Sequence, residues 1–132
     1  MTVREPDALA KTNRINMLID FYEPLLTDKQ RTFLKYYFHD DFTLGEIAAE
    51  SGISRQAVYE HVKRASLMLE SYEEKLGLLA RHNSLVGWIG KLEETAGLLP
   101  ENSEARMRLL EIAEGLKQSE QIGKTVVNEH GV

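Results

Sequence analysis

The sequence predicts an all-α protein: a helix-turn-helix three-helix core with a long recognition helix, followed by two further C-terminal helices. Three observations carry this expectation. Helix-start signals recur, with Thr27 before Gln30, Thr43 before Glu46, and Ser54, each setting a side-chain oxygen where it can accept from the free N–H groups of a first turn. Apolar residues return at intervals of three and four along most of the chain. Gly52 and Gly77 interrupt that period where a helix can close in the left-handed conformation without a Cβ penalty.

Taken in order, residues 1–11 have no sustained apolar period, and Pro6 would interrupt an early helix, so a mobile N-terminal arm is expected. From Thr12 the period tightens: Ile15, Leu18, Ile19 and Tyr22 share a face that Met17 and Phe21 widen, and Pro24 should end this helix. The capping box at Thr27 opens the next, whose buried side is Phe33, Leu34, Tyr37 and Phe38 and which should end near Asp40. His39, Asp40 and Asp41 resemble metal ligands only in composition. Neighbours at a helix end point in different directions, so a polar loop is expected there.

Thr43 to Arg64 is the segment around which the rest is arranged. A helix should run from Leu44 to a turn at Gly52, and a second should start after Ser54, with Ile47, Ala48, Ile53, Val58 and Val62 meeting in a small core. The second helix continues, because Val58, Val62, Ala65, Leu69, Tyr72 and Leu76 form a heptad-like seam with no breaker before Gly77. A length of about 23 residues, or about 34 Å, follows from 1.5 Å per residue. Leu67 and Met68 lie off that seam and suit a second packing surface. Leu78, His82, Leu85, Ile89, Leu92 and Ala96 repeat the spacing and offer a partner seam, with His82 expected as a partly buried, hydrogen-bonded histidine. Gly87 and Gly90 weaken this helix, which close packing against a neighbour would explain. After a break at 98–106, Ala105, Leu109, Ile112, Ala113 and Leu116 describe a final amphipathic helix. The expected organisation is thus an arm (1–11), a helix-turn-helix domain (12–77), a helical extension (78–117) and a frayed tail (118–132).

Composition narrows the chemistry. The chain has 132 residues, enough for one domain with an appendage, and no cysteine, which removes disulfides, thiolate catalysis and cysteine-bound zinc. No phosphate loop, paired acid and base, or nucleophile with a partner is present, so an enzyme is not expected, nor a cofactor or metal. Neither a signal peptide nor a run long enough to span a bilayer is seen, and a cytoplasmic protein without membrane contact is expected. With 16 basic and 21 acidic side chains the net charge is −5, which opposes tight non-specific duplex binding. The second helix of the motif is nevertheless locally basic. Its outward face carries Gln56, Tyr59, Glu60 and Lys63, with Arg55 in the first turn, a set suited to a major groove, where arginine can pair with guanine and glutamine with adenine. A polar face is also what any solvated helix shows, and a three-helix unit can serve only as scaffold.

LTDKQ, DDFTLGEIA, SRQAVY, Lys63 with Arg64, and LESYEEKL together resemble the YlxM-like helix-turn-helix family associated with the bacterial signal recognition particle, over roughly residues 12 to 77. The resemblance implies the helix-turn-helix arrangement of the sigma-factor domain that reads the promoter −35 element, and a regulatory or accessory role in protein targeting. It carries a nucleic-acid role onto Arg55, Gln56, Tyr59, Lys63 and Arg64, to which the helix-start Ser54 is added. His39 stands where the family pattern has an aliphatic residue. The expected partners are nucleic acid, as a DNA operator or the particle RNA, and the signal recognition particle protein. A homodimer is expected from the apolar faces at Ile15 to Tyr22 and Ala65 to Leu76 and from the two half-sites that short DNA readers need. The competing expectation is a protein-binding adaptor that keeps the motif as scaffold and uses Glu93, Glu94, Glu111 and Glu114 of the acidic C-terminal helices.

Overall fold

In a computed structural model, residues 6–130 are described, with side chains described for residues 11–120. Among these the chain forms α1 (Pro6–Tyr22), α2 (Asp28–Leu34), α3 (Leu44–Ser51), α4 (Arg55–Leu76), α5 (Leu78–Gly97) and α6 (Glu104–His130), and no strand. The protein is all-α. It divides into two compact units, one ending at Gly77 and the other beginning at Leu78.

Local chemistry sets the boundaries of the first unit. Thr27 and Thr43 each form a complete capping box, the threonine oxygen accepting from the N–H three residues on while the Gln30 or Glu46 side chain accepts from the threonine N–H. Ser54 caps α4 by accepting from the Ala57 N–H at 3.0 Å. Gly52 and Gly77 sit at φ +70° and +63°, the left-handed region expected of a helix-closing glycine. α1 stops at Tyr22, and Pro24 lies in the single 3₁₀ turn Glu23–Leu25 that follows.

Three features differ from expectation. α1 begins at Pro6 rather than near Thr12, because proline's fixed φ and missing N–H are compatible with the first turn of a helix; the first five residues of the expected arm lie outside the described residues. α2 passes into a π turn, Lys35–His39, in which the Asp40 N–H donates to the Lys35 carbonyl at 2.9 Å. The widened turn, with the Phe42 N–H donating to the Tyr36 carbonyl and the Tyr36 and Phe42 rings stacked at 4.9 Å, swings the chain into α3. Asp41 completes the bend at φ +54°, a conformation that aspartate tolerates better than bulkier residues. Finally, α6 continues to His130, past the point where apolar spacing fades; residues 131–132 of the expected tail lie outside the described residues.

α4 is the spine of the first unit. Val58, Val62, Ala65 and Leu69 are buried along one side of it. α1 covers the C-terminal part: Leu18, Ile19 and Tyr22 are buried, and the Tyr22 hydroxyl donates to the Glu73 carboxylate at 2.6 Å. Arg14 of α1 makes a two-pronged pair with Glu70, at 2.8 and 2.9 Å. Phe33 and Leu34 of α2 and Ile47 of α3 complete the core over the N-terminal half. The seam from Val58 to Leu69 is therefore filled by α1, α2 and α3. The two apolar faces that suggested a homodimer, Ile15 to Tyr22 and Ala65 to Leu76, meet each other within one chain as far as Tyr72, whose ring lies 5.9 Å from that of Tyr22, while Leu76 at the end of the seam is exposed.

In the second unit α5 and α6 form a helical hairpin, with Ile89, Ala96 and Ala113 buried. The α5 seam finds its partner in α6. His82 is partly buried, as expected, and its Nδ1 lies 2.9 Å from the Glu120 carboxylate. Gly87 and Gly90 do not mark a close approach: a Cβ built on either meets nothing within 4 Å.

Candidate nucleic-acid interface

The geometry of the motif follows from its caps. Thr43 starts α3, Gly52 turns the chain and Ser54 starts α4, while Ile47 and Val58, both fully buried, hold the two helices together. Because Val58 and Val62 face inward, Arg55, Gln56, Tyr59 and Lys63 project outward, each a 100° step per residue from that line. Arg55, Gln56 and Tyr59 line an open cleft of about 470 Å³, closed on its other side by Leu44 at the start of α3. The structure thus brings three of the six expected residues to one place.

The other three are placed differently. The Ser54 hydroxyl is occupied in capping α4, so its contribution is to fix the first turn. That turn leaves the Arg55 and Gln56 amides without an intrahelical acceptor, a setting that suits an anion. Lys63 is exposed one turn beyond Tyr59, and Arg64, also exposed, turns to the opposite flank. Neither they nor Arg55 makes an ion pair among the described residues. The unit's other cations include several that do: Arg14 with Glu70, Arg31 with Asp28, and Lys35 with Glu23. One carboxylate, Glu60, shares the outward face, and it accepts from the Gln56 amide at 3.1 Å.

Spacing alone did not reveal two residues on the far flank. His61 packs its ring 5.2 Å from Phe33, and Lys29 of α2 lies over the same Phe33 ring at 5.9 Å. Burial first, then the charges of Lys29 and Arg64, hold the His61 imidazole below its ordinary pKa. This cluster depends on α2 lying beside α4, which no local pattern encodes. Leu44 escaped notice for the same reason, since it joins the cleft only when α3 and α4 pack.

Among the described residues no group of three or more histidine, aspartate or glutamate side chains could hold a metal ion. His39, Asp40 and Asp41 are exposed at the end of the π turn. Among the described residues no helix is long and apolar enough to cross a membrane.

The profile of the family described as "Putative helix-turn-helix protein, YlxM / p13 like" matches residues 9–108. The chain is 49% identical over 109 residues to a UPF0122 protein of Halalkalibacterium halodurans, covering 83% of this chain and 99% of that one. It is 50% identical over 97 residues to the UPF0122 protein YlxM of Bacillus subtilis, covering 74% and 88%. A UPF0122 protein of Exiguobacterium sibiricum is 61% identical over 74 residues, 56% of this chain and 70% of that one. The match is to a helix-turn-helix family and not to an enzyme family, and it spans the motif, α4, all of α5 and the start of α6: this chain belongs to the UPF0122 family of YlxM/p13-like helix-turn-helix proteins.

Proposed function

We propose that the chain is a nucleic-acid-binding regulatory protein that presents the first half of α4 to a groove, with a DNA operator or the signal recognition particle RNA as its target. The observation that carries this reading is the convergence of Arg55, Gln56 and Tyr59 on one open cleft beside the free amides of the α4 first turn. Lys63 and Arg64 add cations paired with no carboxylate among the described residues, which suits a phosphate contact. With a net charge of −5, affinity rests on these few contacts and not on a general positive field.

The test is binding of duplex DNA fragments and of particle RNA across a salt series. Lys63→Ala weakens every duplex alike and reduces the log–log salt slope by about 0.9, one phosphate contact. Arg55→Ala and Gln56→Ala each cost about 1–3 kcal/mol for the preferred site and far less elsewhere. All three side chains lie off the core, so helicity and folding are retained. Absence of binding to either nucleic acid at low salt overturns the reading.

A second reading, the protein-binding adaptor, is favoured by the surface of the α5–α6 hairpin, where Val86, Trp88, Leu98, Met107 and Ile112 are more than half exposed. Of the four glutamates expected to serve it, Glu93 is paired with Lys117 at 2.8 Å, leaving Glu94, Glu111 and Glu114 as its acidic contacts; the signal recognition particle protein is its named candidate. Charge reversal at these three lowers partner affinity in a salt-sensitive way under the adaptor reading and leaves nucleic-acid binding untouched under the first. The homodimer stays within the first reading on the half-site argument alone.

A further inference from the structure

α4 has two shoulders. On a 3.6-residue wheel, Arg55, Tyr59 and Lys63 descend one side of its outward line, toward the α3 cleft, while Arg64 and His61 descend the other, toward α2. The first shoulder ends at Leu44 and the cleft. The second ends at Phe33, whose buried ring sits beside His61 at 5.2 Å and under Lys29 at 5.9 Å. Two basic groups from two helices thus flank one aromatic ring, Lys29 from α2 and His61 from α4, and Arg64, three residues on from His61 and so on the neighbouring part of the helix surface, is near enough for its charge to act on the imidazole. Of the nearby carboxylates, Asp28 pairs with Arg31, whereas Glu60 accepts only from the neutral Gln56 amide and keeps its charge on the outward face. None of the three basic groups has a carboxylate partner among the described residues, and the His61 ring makes no hydrogen bond there.

Lys29 and Arg64 are exposed, so water screens most of their mutual repulsion, but an anion seated between them and His61 would meet the combined field of the three groups. We propose that Lys29, His61 and Arg64 form a phosphate-binding site on the α2 flank of α4, which takes one phosphate group together with one proton on His61. This rests on the nucleic-acid reading for the source of the phosphate. A helix lying in a groove about 12 Å wide has a sugar–phosphate strand on either side, and the two shoulders would meet one strand each. Free phosphorylated ligands share the same chemistry, and the experiment separates the two sources.

The proton follows from electrostatics. In the free protein burial, Lys29 and Arg64 hold the His61 pKa down. A phosphate placed among the three cations offsets their field and accepts a hydrogen bond from the imidazolium, so its binding raises that pKa and draws in a proton. Affinity is then independent of pH well above both values, rises as pH falls through the bound-state pKa, and levels off below the depressed free-state value. A single coupled proton limits the rise to about tenfold per pH unit.

The experiment uses the full chain. The His61 ring is titrated by NMR with and without tripolyphosphate, and duplex DNA and an RNA hairpin are bound across pH and salt by wild type, His61→Gln, Lys29→Ala and Arg64→Ala. The expected result is a His61 midpoint raised by tripolyphosphate in wild type and much less in Lys29→Ala and Arg64→Ala, with the acid-side gain in nucleic-acid affinity lost in His61→Gln. Lys29→Ala and Arg64→Ala each lower the duplex salt slope by about 0.9. If nucleic acid binds and the His61 midpoint stays where it is with tripolyphosphate, the phosphate site is overturned and the reading face stands. If the midpoint rises but neither nucleic acid binds at low salt, the phosphate site is supported and the reading face falls. His61 that serves only to pack against Phe33 would move no midpoint.

Discussion

Gly87 and Gly90 of α5 supply a test in which the expected sign differs from that at another glycine of the same chain. Both lie within a regular helix, both are exposed, and a Cβ added at either meets nothing within 4 Å. Nothing among the described residues therefore opposes alanine, and the helical preference of alanine over glycine, about 0.8–1.0 kcal/mol per site, should be gained almost in full. Gly52 also has open space around its Cβ position, but its φ of +70° changes the sign. Alanine there meets a left-handed penalty of about 1–2 kcal/mol, reduced by about 0.4–1 kcal/mol through restriction of the unfolded chain, for a net loss on the order of 1 kcal/mol. Urea unfolding followed by Trp88 emission reports the second unit, because Trp88 is the single tryptophan and lies in α5; far-UV circular dichroism reports the whole chain. Gly87→Ala and Gly90→Ala should raise the Trp88 midpoint and leave the sedimentation mass unchanged. A lowered midpoint, or a change in mass, would refute the reasoning, since it would mean that another backbone uses those positions.

Other perturbations follow from the first unit. Leu69 is fully buried on the part of α4 that α1 covers, so Leu69→Ala should cost about 2–5 kcal/mol, measured by urea unfolding; a loss under 1 kcal/mol would contradict the packing of α1 on α4. The Arg14–Glu70 pair is about half exposed, so Arg14→Ala should cost no more than about 1 kcal/mol despite its two hydrogen bonds. The hydrogen bond from Arg14 lowers the Glu70 pKa, so the pair's contribution is complete above the ordinary carboxylate range and is lost as pH falls through the depressed value. The wild-type and Arg14→Ala stability curves should therefore converge in acid; a gap that persists there would assign the effect to packing by the arginine stem.

The parts of this fold that could be read from sequence are those determined within one turn of the chain. Thr27, Thr43, Ser54, Gly52 and Gly77 announce helix ends because their effects are confined to the few backbone groups beside them. The apolar seam of α4 was legible as a line, but a line says only which side wants cover. That α1 supplies it, and that α6 covers α5, depends on competition among faces of similar pattern. The same limit applies to the candidate site. Arg55, Gln56 and Tyr59 are near neighbours in sequence and were found together, whereas Lys29 reaches His61 only across two packed helices. The π turn at Lys35–His39 had no signature of its own; the apolar residues that follow the Thr27 capping box continue as they would in an α-helix.

α4 runs unbroken from Arg55 to Leu76, about 33 Å at 1.5 Å per residue, and the turns that present Arg55, Tyr59 and Lys63 are the turns that bury Val58 and Val62. A ligand arriving at that face meets a backbone whose ordering was completed when the domain folded. Calorimetry would then register only the heat capacity of the surfaces that come together, without the large negative excess that accompanies a segment folding onto its target. If that face binds nucleic acid, association is spared the slow search for a competent conformation, and differences among targets would be expressed mainly in how long each complex lasts.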